Sequence, residues 1–197
     1  MFANKTVYLA SSSPRRYRIL ADLGLQVIVS PSHIDESRKH NETPTDFVLR
    51  LAKEKNNFDI QKHQHLPVVS ADTIVVLDDK ILGKPADDGQ AYDMLYSLSG
   101  RTHQVMTAVC VAGKNFCQTA LSVSEVTFAD LMLDEIVDYI FTKEPYDKAG
   151  AYGIQGLGGY FVSHLSGSYT GVMGLPVFET VDLLNQFWYQ MYEDECF

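Results

Sequence analysis

The sequence predicts an α/β protein on a mixed sheet, bent or split into two lobes with a cleft between them. Short apolar runs alternate with helical patterns in the N-terminal half, the arrangement that builds layered α/β folds. Two long strand-like runs, 103–113 and 118–131, follow one another across a turn near Gly113-Lys114-Asn115, as in a hairpin. A glycine-rich stretch then leads to a last helical pattern.

Residues 6–10 (TVYLA) read as a buried strand, 14–24 as a helix ended by Gly24, and 25–30 (LQVIVS) as a second strand. After the polar loop "PSHIDESRKHNET", a helix over 44–57 is capped by Thr43. "LPVVSADTIVVLDDKIL" holds a strand and a hairpin turning through Asp78-Asp79. A helix over 87–98 is ended by Gly100, and after the two long strands another covers 133–141. The final helix covers 176–189, and "YEDECF" reads as part of a loose tail over about 190–197.

With 197 residues, 46% of them hydrophobic, the chain can bury the core of one domain over 1–197. It shows neither a long apolar segment nor the apolar core of a signal peptide, so the expectation is a cytoplasmic protein with no membrane partner. Cys110, Cys117 and Cys196 form no CxxC pair, and their odd number argues against a disulfide framework. His63 and His65 fall in a polar "QKHQH" loop without zinc spacing. A net charge of −9 weighs against bulk nucleic acid as partner. It does not weigh against a small phosphorylated ligand held by a local positive site with a metal ion.

Such a local site is suggested where "LASSSPRRY" enters the first helix. Helix N-termini carry partial positive charge and favour Asp or Glu in the first turn. The helices at 44, 87 and 133 follow this rule with Asp46, Asp87-Asp88 and Asp134-Glu135. The first helix instead opens with Arg15 and Arg16. These arginines either project toward surface acids or grip an anion. Free backbone N–H groups, the serine-rich entry and two guanidinium forks favour the anion.

Asp72 interrupts a strand of valine and isoleucine, where a carboxylate must be paired, metal-bound or catalytic, or cap a backbone amide at a strand end. Asp35 and Glu36 in the polar loop offer a further carboxylate, and adjacent side chains point differently, so one of them at most joins Asp72. Lys55 ends the apolar stripe Phe47, Val48, Leu51 and Ala52, where it either snorkels to solvent or reaches a partner. Lys84 sits in a loop between strand and helix. The glycines of "GAYGIQGLGGYF" permit close backbone approach, yet form neither a P-loop nor a dinucleotide fingerprint. An inventory of Arg, Lys, Asp and Glu suits phosphoryl chemistry with a divalent ion better than acyl transfer.

The segments "LASSSPRR" (9–16), "SADTIV" (70–75), "GKP" (83–85), "LSGRTHQVMTAV" (98–109) and "DKAGAYGIQGLGG" (147–159) together resemble the Maf family of nucleoside triphosphate pyrophosphatases. With "AYGIQG" as pointer, they look most like its subgroup acting on dTTP and UTP. The resemblance implies an ITPase-like fold, a cofactor cation such as Mg or Mn, a nucleoside triphosphate substrate, and often a homodimer. It implies that Asp72 is the catalytic acid, described in the family as the proton acceptor. Arg15, Thr73 and Gln155 match positions tied to substrate choice, while Ser11, Arg16, Glu36, Lys55 and Lys84 match polar residues around phosphates and metal. From the chemistry of carboxylates, Glu36 and Asp72 can bind the metal, or Asp72 can take a water proton. Two other expectations stand beside this one. One is a Maf relative with specificity for 7-methyl-GTP or CTP. The other is a non-catalytic nucleotide-binding regulator of cell division, since the family's name refers to septum formation.

Overall fold

A computed structural model describes residues 2, 4–60 and 66–195, so His63, His65 and Cys196 lie outside the described residues. Its strands form one seven-stranded mixed sheet, ordered β2-β1-β3-β5-β6-β7 with β4 paired to β3. The strands are β1 (Thr6–Leu9), β2 (Gln26–Val29), β3 (Val68–Leu77), β4 (Lys80–Leu82), β5 (Thr102–Gly113), β6 (Phe116–Phe128) and β7 (Val162–Ser166). The helices are α1 (Pro14–Asp22), α2 (Pro44–Ile60), α3 (Asp88–Leu98), α4 (Leu133–Phe141), α5 (Tyr169–Met173) and α6 (Val177–Glu195). β1 pairs in parallel with β2 and β3, while β4 runs antiparallel to β3 and β7 antiparallel to β6. No helix among the described residues is long and apolar enough to cross a membrane.

The chain divides into two compact units, the first comprising residues up to Asp72, Thr107–Ser122 and the chain from Gly174. Its central strands β3 and β5 carry the long apolar runs: Val68 and Val69 of β3 and Val109 of β5 are fully buried, as are Val7 and Leu9 of β1, whereas β2 is largely exposed. Continuous apolar runs of this kind belong to strands covered on both faces. Helix α2 lies against β3 through two buried polar contacts. Asn56 Nδ2 donates to Val68 O at 2.7 Å and to Cys110 O at 3.1 Å, and Ser70 Oγ donates to Ala52 O at 2.6 Å.

The second unit comprises Thr73–Met106 and Val123–Met173. Its core gathers Leu95 and Leu98 of α3, Ile136 and Tyr139 of α4, Val126 and Phe128 of β6, and Tyr152 and Phe161. The β3–β4 hairpin turns at Asp78 and Asp79, both at positive φ (48° and 63°), which suits the mirror-image turn of a two-residue hairpin. Gly150, at φ 69°, donates its N–H to Gly83 O at 3.0 Å, and a Cβ there would press on Val75 at 2.9 Å.

His103 is 2% exposed in this core, edge-on to Phe128 and Tyr152. Its Nε2 lies 2.8 Å from Tyr152 Oη, and its Nδ1 is buried without a partner. Burial pushes its pKa down from 6.5 to about 4. Between those values the unfolded chain takes up a proton that the folded chain refuses. Stability is therefore intact above pH 6.5 and falls as pH drops toward 4. At about 1.4 kcal/mol per pH unit, the loss through this residue is roughly 3 kcal/mol. Urea unfolding at neutral and acid pH measures it. His103→Gln is expected to flatten the dependence, and an acid sensitivity equal to that of the parent would refute this assignment.

Most elements lie where the sequence predicts them, with four differences. Helix α1 stops at Asp22, because Gly24 adopts φ 84° and the Leu25 N–H turns back to Leu20 O. The backbone of α2 runs to Ile60. The glycine-rich stretch is followed by a strand, β7, which the sequence reading did not include. The tail expected to be loose is helical through Glu195. Just before the tail α6 is anchored by buried Phe187 and by Trp188 against Phe2 (ring centroids 5.2 Å apart), and at its start by Gln190 Nε2 on Asn115 O at 3.3 Å.

Candidate active site

The first unit brings Lys55, Asp72 and Glu36 together. Lys55 Nζ lies 2.6 Å from Asp72 Oδ1 and 2.8 Å from Glu36 Oε1. Lys55 and Asp72 are 9% and 7% exposed, whereas Glu36 stands half in solvent. Of the sequence alternatives for Lys55, the partner is realised and the snorkel is not. Asp72 is paired, and of the loop acids Glu36 joins it while Asp35 turns to Ser37 N at 2.9 Å.

Each partner is delivered by its own support. Asn56 and Ser70 lock α2 onto β3, which sets Lys55 on the helix against Asp72 on the strand. The loop carrying Glu36 is tied down by Arg50. Its Nε and Nη2 meet the two carboxylate oxygens of Glu42 at 2.6 and 2.9 Å, and Nη2 also reaches Ser37 O at 3.0 Å. The Arg50 hydrogen bonds hold the Glu42 carboxyl well below the usual carboxylate range.

At the start of α1, Ser13 occupies the capping position without a side-chain cap bond, and the first turn holds no acid. Ser11 Oγ accepts from Ser13 N at 3.2 Å and from Arg16 Nη1 at 3.1 Å. Arg16 Nε donates to Gly174 O at 2.8 Å, so both contacts fix the plane of its fork. Burial lowers the Arg16 pKa, the Asp72 and Glu36 charges oppose that, and neighbouring Arg15 adds to it. Arg16 thus shares one electrostatic neighbourhood with the Lys55 cluster.

The remaining candidates belong to the second unit. Thr73 is half-buried, directly after Asp72 on β3. Lys84 is exposed in the segment after β4, beside the Gly83 carbonyl held by Gly150. Gln155 is exposed in a turn closed by the Gly156 N–H on Gly153 O at 3.1 Å.

Two oxygens within hydrogen-bond reach of one ammonium make a compact pair of hard donors. Among the described residues, no group of three or more His, Cys, Asp or Glu side chains is arranged to hold a metal ion. Two carboxylates nevertheless match the usual protein share for Mg or Mn, which keep waters and take phosphate oxygens for the rest. The pair is therefore a donor set of the kind a small divalent cation takes, here engaged by the Lys55 ammonium.

The sequence reading missed Asn56 and Arg50, and in the second unit Glu144, whose carboxylate accepts the N–H groups of Leu157 and Gly158 at 3.0 and 3.2 Å. Asn56 lies four residues beyond Ala52 on the apolar stripe, and a polar residue at such a position was a legible signal. Glu54, a partner of Arg50 at 2.9 Å, stands four residues on along α2, a readable spacing. Glu42 and Ser37 lie 8 and 13 residues back in the loop, and the backbone partners of Glu144 lie 13 and 14 residues on, where no period marks them.

The first unit thus gathers two carboxylates, a lysine and a basic helix start in one electrostatic neighbourhood. The chain belongs to the Maf family: the pattern of the Maf-like protein family matches residues 6–187. It is 53% identical to a dTTP/UTP pyrophosphatase of Pasteurella multocida, covering 94% of this chain and 97% of that protein. It is 52% identical to a nucleoside triphosphate pyrophosphatase of Haemophilus ducreyi, over 93% and 95%. To a dTTP/UTP pyrophosphatase of Escherichia coli K12 it is 48% identical, over 92% and 93%. Among solved structures, a HAM1 protein from Coxiella burnetii aligns with a TM-score of 0.43 at 16% identity, over 64% of this chain and 74% of that one.

Proposed function

We propose that the chain hydrolyses dTTP and UTP to the nucleoside monophosphate and pyrophosphate with the help of a divalent cation. The observation that carries this reading is the pair of carboxylates, Glu36 and Asp72, meeting on Lys55 Nζ in the electrostatic neighbourhood of Arg16. The names of the relatives agree with the hydrolysis of dTTP and UTP.

In the proposed reaction, a water oxygen bonds to the α-phosphorus while that phosphorus parts from the α,β-bridging oxygen, and pyrophosphate leaves. Lys55 holds Asp72 Oδ1, so the other carboxylate oxygen, Oδ2, accepts the proton of the attacking water. Arg16, with its plane fixed by Ser11 and Gly174, binds phosphate oxygens together with Arg15 and the α1 N-terminus. Lys55 and Lys84 offset charge that develops on the departing pyrophosphate. A cation held by Glu36 and Asp72 would neutralise phosphate charge and polarise the phosphoryl group. Thr73 and Gln155 contribute to nucleotide choice. The amide of Gln155, both donor and acceptor, matches the O4 and N3–H edge common to uracil and thymine.

The deciding experiment measures pyrophosphate release from dTTP, UTP, CTP and 7-methyl-GTP with Mg or Mn. Fastest release from dTTP and UTP is expected. Fastest release from CTP or 7-methyl-GTP would move the protein to a sister specificity. Binding with no release from any of them would make it a nucleotide-binding regulator instead. Arg16→Lys is a sharper probe, because lysine cannot reproduce the two fixed contacts of the guanidinium fork. Loss of charged hydrogen bonds is expected to raise KM roughly ten- to a hundredfold. An unchanged KM would remove Arg16 from phosphate binding.

A further inference from the structure

The glycine-rich segment around Gln155 is held by a pair of residues that the catalytic reading does not use. Tyr139, on α4, donates its hydroxyl to Glu144 Oε1 at 2.9 Å and accepts the N–H of Gly153 at 3.3 Å. Glu144 in turn accepts the N–H of Leu157 on Oε2 at 3.0 Å and that of Gly158 on Oε1 at 3.2 Å. The turn carrying Gln155 spans Gly153 to Gly156. One tyrosine–glutamate unit therefore holds both feet of that turn.

The glycines of the motif are explained by the same unit. A Cβ on Gly156 would overlap the Glu144 carboxylate, and one on Gly158 would lie 2.7 Å from Tyr139 Oη. One on Gly153 would lie 2.6 Å from Lys148 Cε. Lys148 Nζ in turn donates to Glu144 O at 2.6 Å, and the Glu144 N–H is donated to Thr142 Oγ1 at 3.2 Å. Glu144 is thus held through its backbone at the end of α4 and grips the loop with its side chain. Burial alone would raise the Glu144 pKa, but the Leu157 and Gly158 N–H groups, then Tyr139 and Lys148, outweigh it and hold it low. Burial, reinforced by the Glu144 charge, pushes Tyr139 far up, so the phenol stays the donor.

We propose that Glu144, through Tyr139 and the 153–159 loop, is a positioning residue for base selection that keeps Gln155 in one geometry. This rests on the reading that Gln155 recognises the pyrimidine edge. A donor–acceptor amide discriminates uracil from cytosine only while its direction is maintained, since cytosine presents the opposite pattern at position 4 and N3. A carboxylate accepting several bonds from the loop backbone supplies that rigidity, and a neutral amide in its place cannot accept all of them.

The test compares pyrophosphate release from UTP, dTTP and CTP by the parent protein, Glu144→Gln, Tyr139→Phe, Gln155→Ala and the Glu144→Gln/Gln155→Ala double variant. In Glu144→Gln the preference for UTP over CTP, as a ratio of kcat/KM, is expected to fall about tenfold, mostly through KM. Tyr139→Phe is expected to act in the same direction and more weakly. In the Gln155→Ala background, Glu144→Gln is expected to change the ratio by less than about twofold, because the two act as one unit. Equal losses on all nucleotides, or a full further loss in the double variant, would reduce Glu144 to structural support and overturn the proposal. If Glu144→Gln does not fold, Tyr139→Phe carries the same ratio test. A parent protein without turnover on any nucleotide would overturn the proposed activity and the selectivity role together. An active parent whose UTP preference survives Glu144→Gln overturns the selectivity role alone.

Discussion

Asp72→Asn is expected to slow pyrophosphate release by a factor between about a hundred and ten thousand, the usual range for loss of a positioned general base. The substitution keeps the shape of the side chain, and its Oδ1 can still accept from Lys55 Nζ, now 2.6 Å from Asp72. Arg15, Arg16 and the α1 N-terminus are untouched, so nucleotide binding measured by calorimetry is expected to survive. The split between lost turnover and kept binding is the diagnostic result. Full activity in the Asn variant would take the proton from Asp72 and would require another acceptor. Loss of binding equal to the loss of rate would make Asp72 a binding group instead.

Lys55→Met is expected to give the largest loss of stability of any single change in the site. It leaves the buried Asp72 facing Glu36 with no ammonium between them. Breaking a buried ion pair from one side costs about 3–5 kcal/mol, because the remaining charge stays desolvated. At roughly 2–4 °C per kcal/mol for a chain of this size, the melting midpoint falls by about 6–20 °C. Added Mg or Mn is expected to restore part of this loss, since a cation bound by the native state stabilises it by mass action. The gain should exceed that seen with the parent protein, whose carboxylates already share a positive partner. A variant that melts with the parent would show that the carboxylates do not depend on Lys55. Equal cation effects on both proteins would argue against Glu36 and Asp72 as metal ligands.

The two units differ in how far their sites were legible. Asp72 announced itself because a carboxylate inside a run of valine and isoleucine breaks the apolar pattern of β3. Arg15 and Arg16 announced themselves because three other helices of the chain start with acids and α1 does not. In both cases a local rule is broken in a short window, and one sequence suffices to see it. Glu144 broke no such rule. An acid beside Pro145 after a helix reads as an ordinary surface residue, and its partners Leu157 and Gly158 lie 13 and 14 residues on. The glycines of the same motif were visible, but what approached them was not.

The helices and most strands followed from periodicity, caps and turn residues. The turn at Asp78-Asp79 and the bounds of α4 emerged as read. Strand β7 did not, because its half-exposed, serine-rich sequence has little apolar alternation and takes its conformation from pairing with β6. The helical tail was missed because its charged sequence after Gln190 shows little apolar period, while Gln190 on Asn115, and Phe187 and Trp188 just before it, hold α6 against distant residues.

By itself, then, the sequence determined the mixed α/β class, the order of the helices and the chemical character of the site. Those properties are written in local charge, apolar period and backbone preference. Only the tertiary structure decided that Lys55 reaches both Asp72 and Glu36, that Asn56 and Arg50 hold them there, and that Glu144 grips the Gln155 turn. Each of these depends on a hydrogen bond between residues far apart in the chain, and such bonds form only once buried apolar surface has brought their strands and helices together.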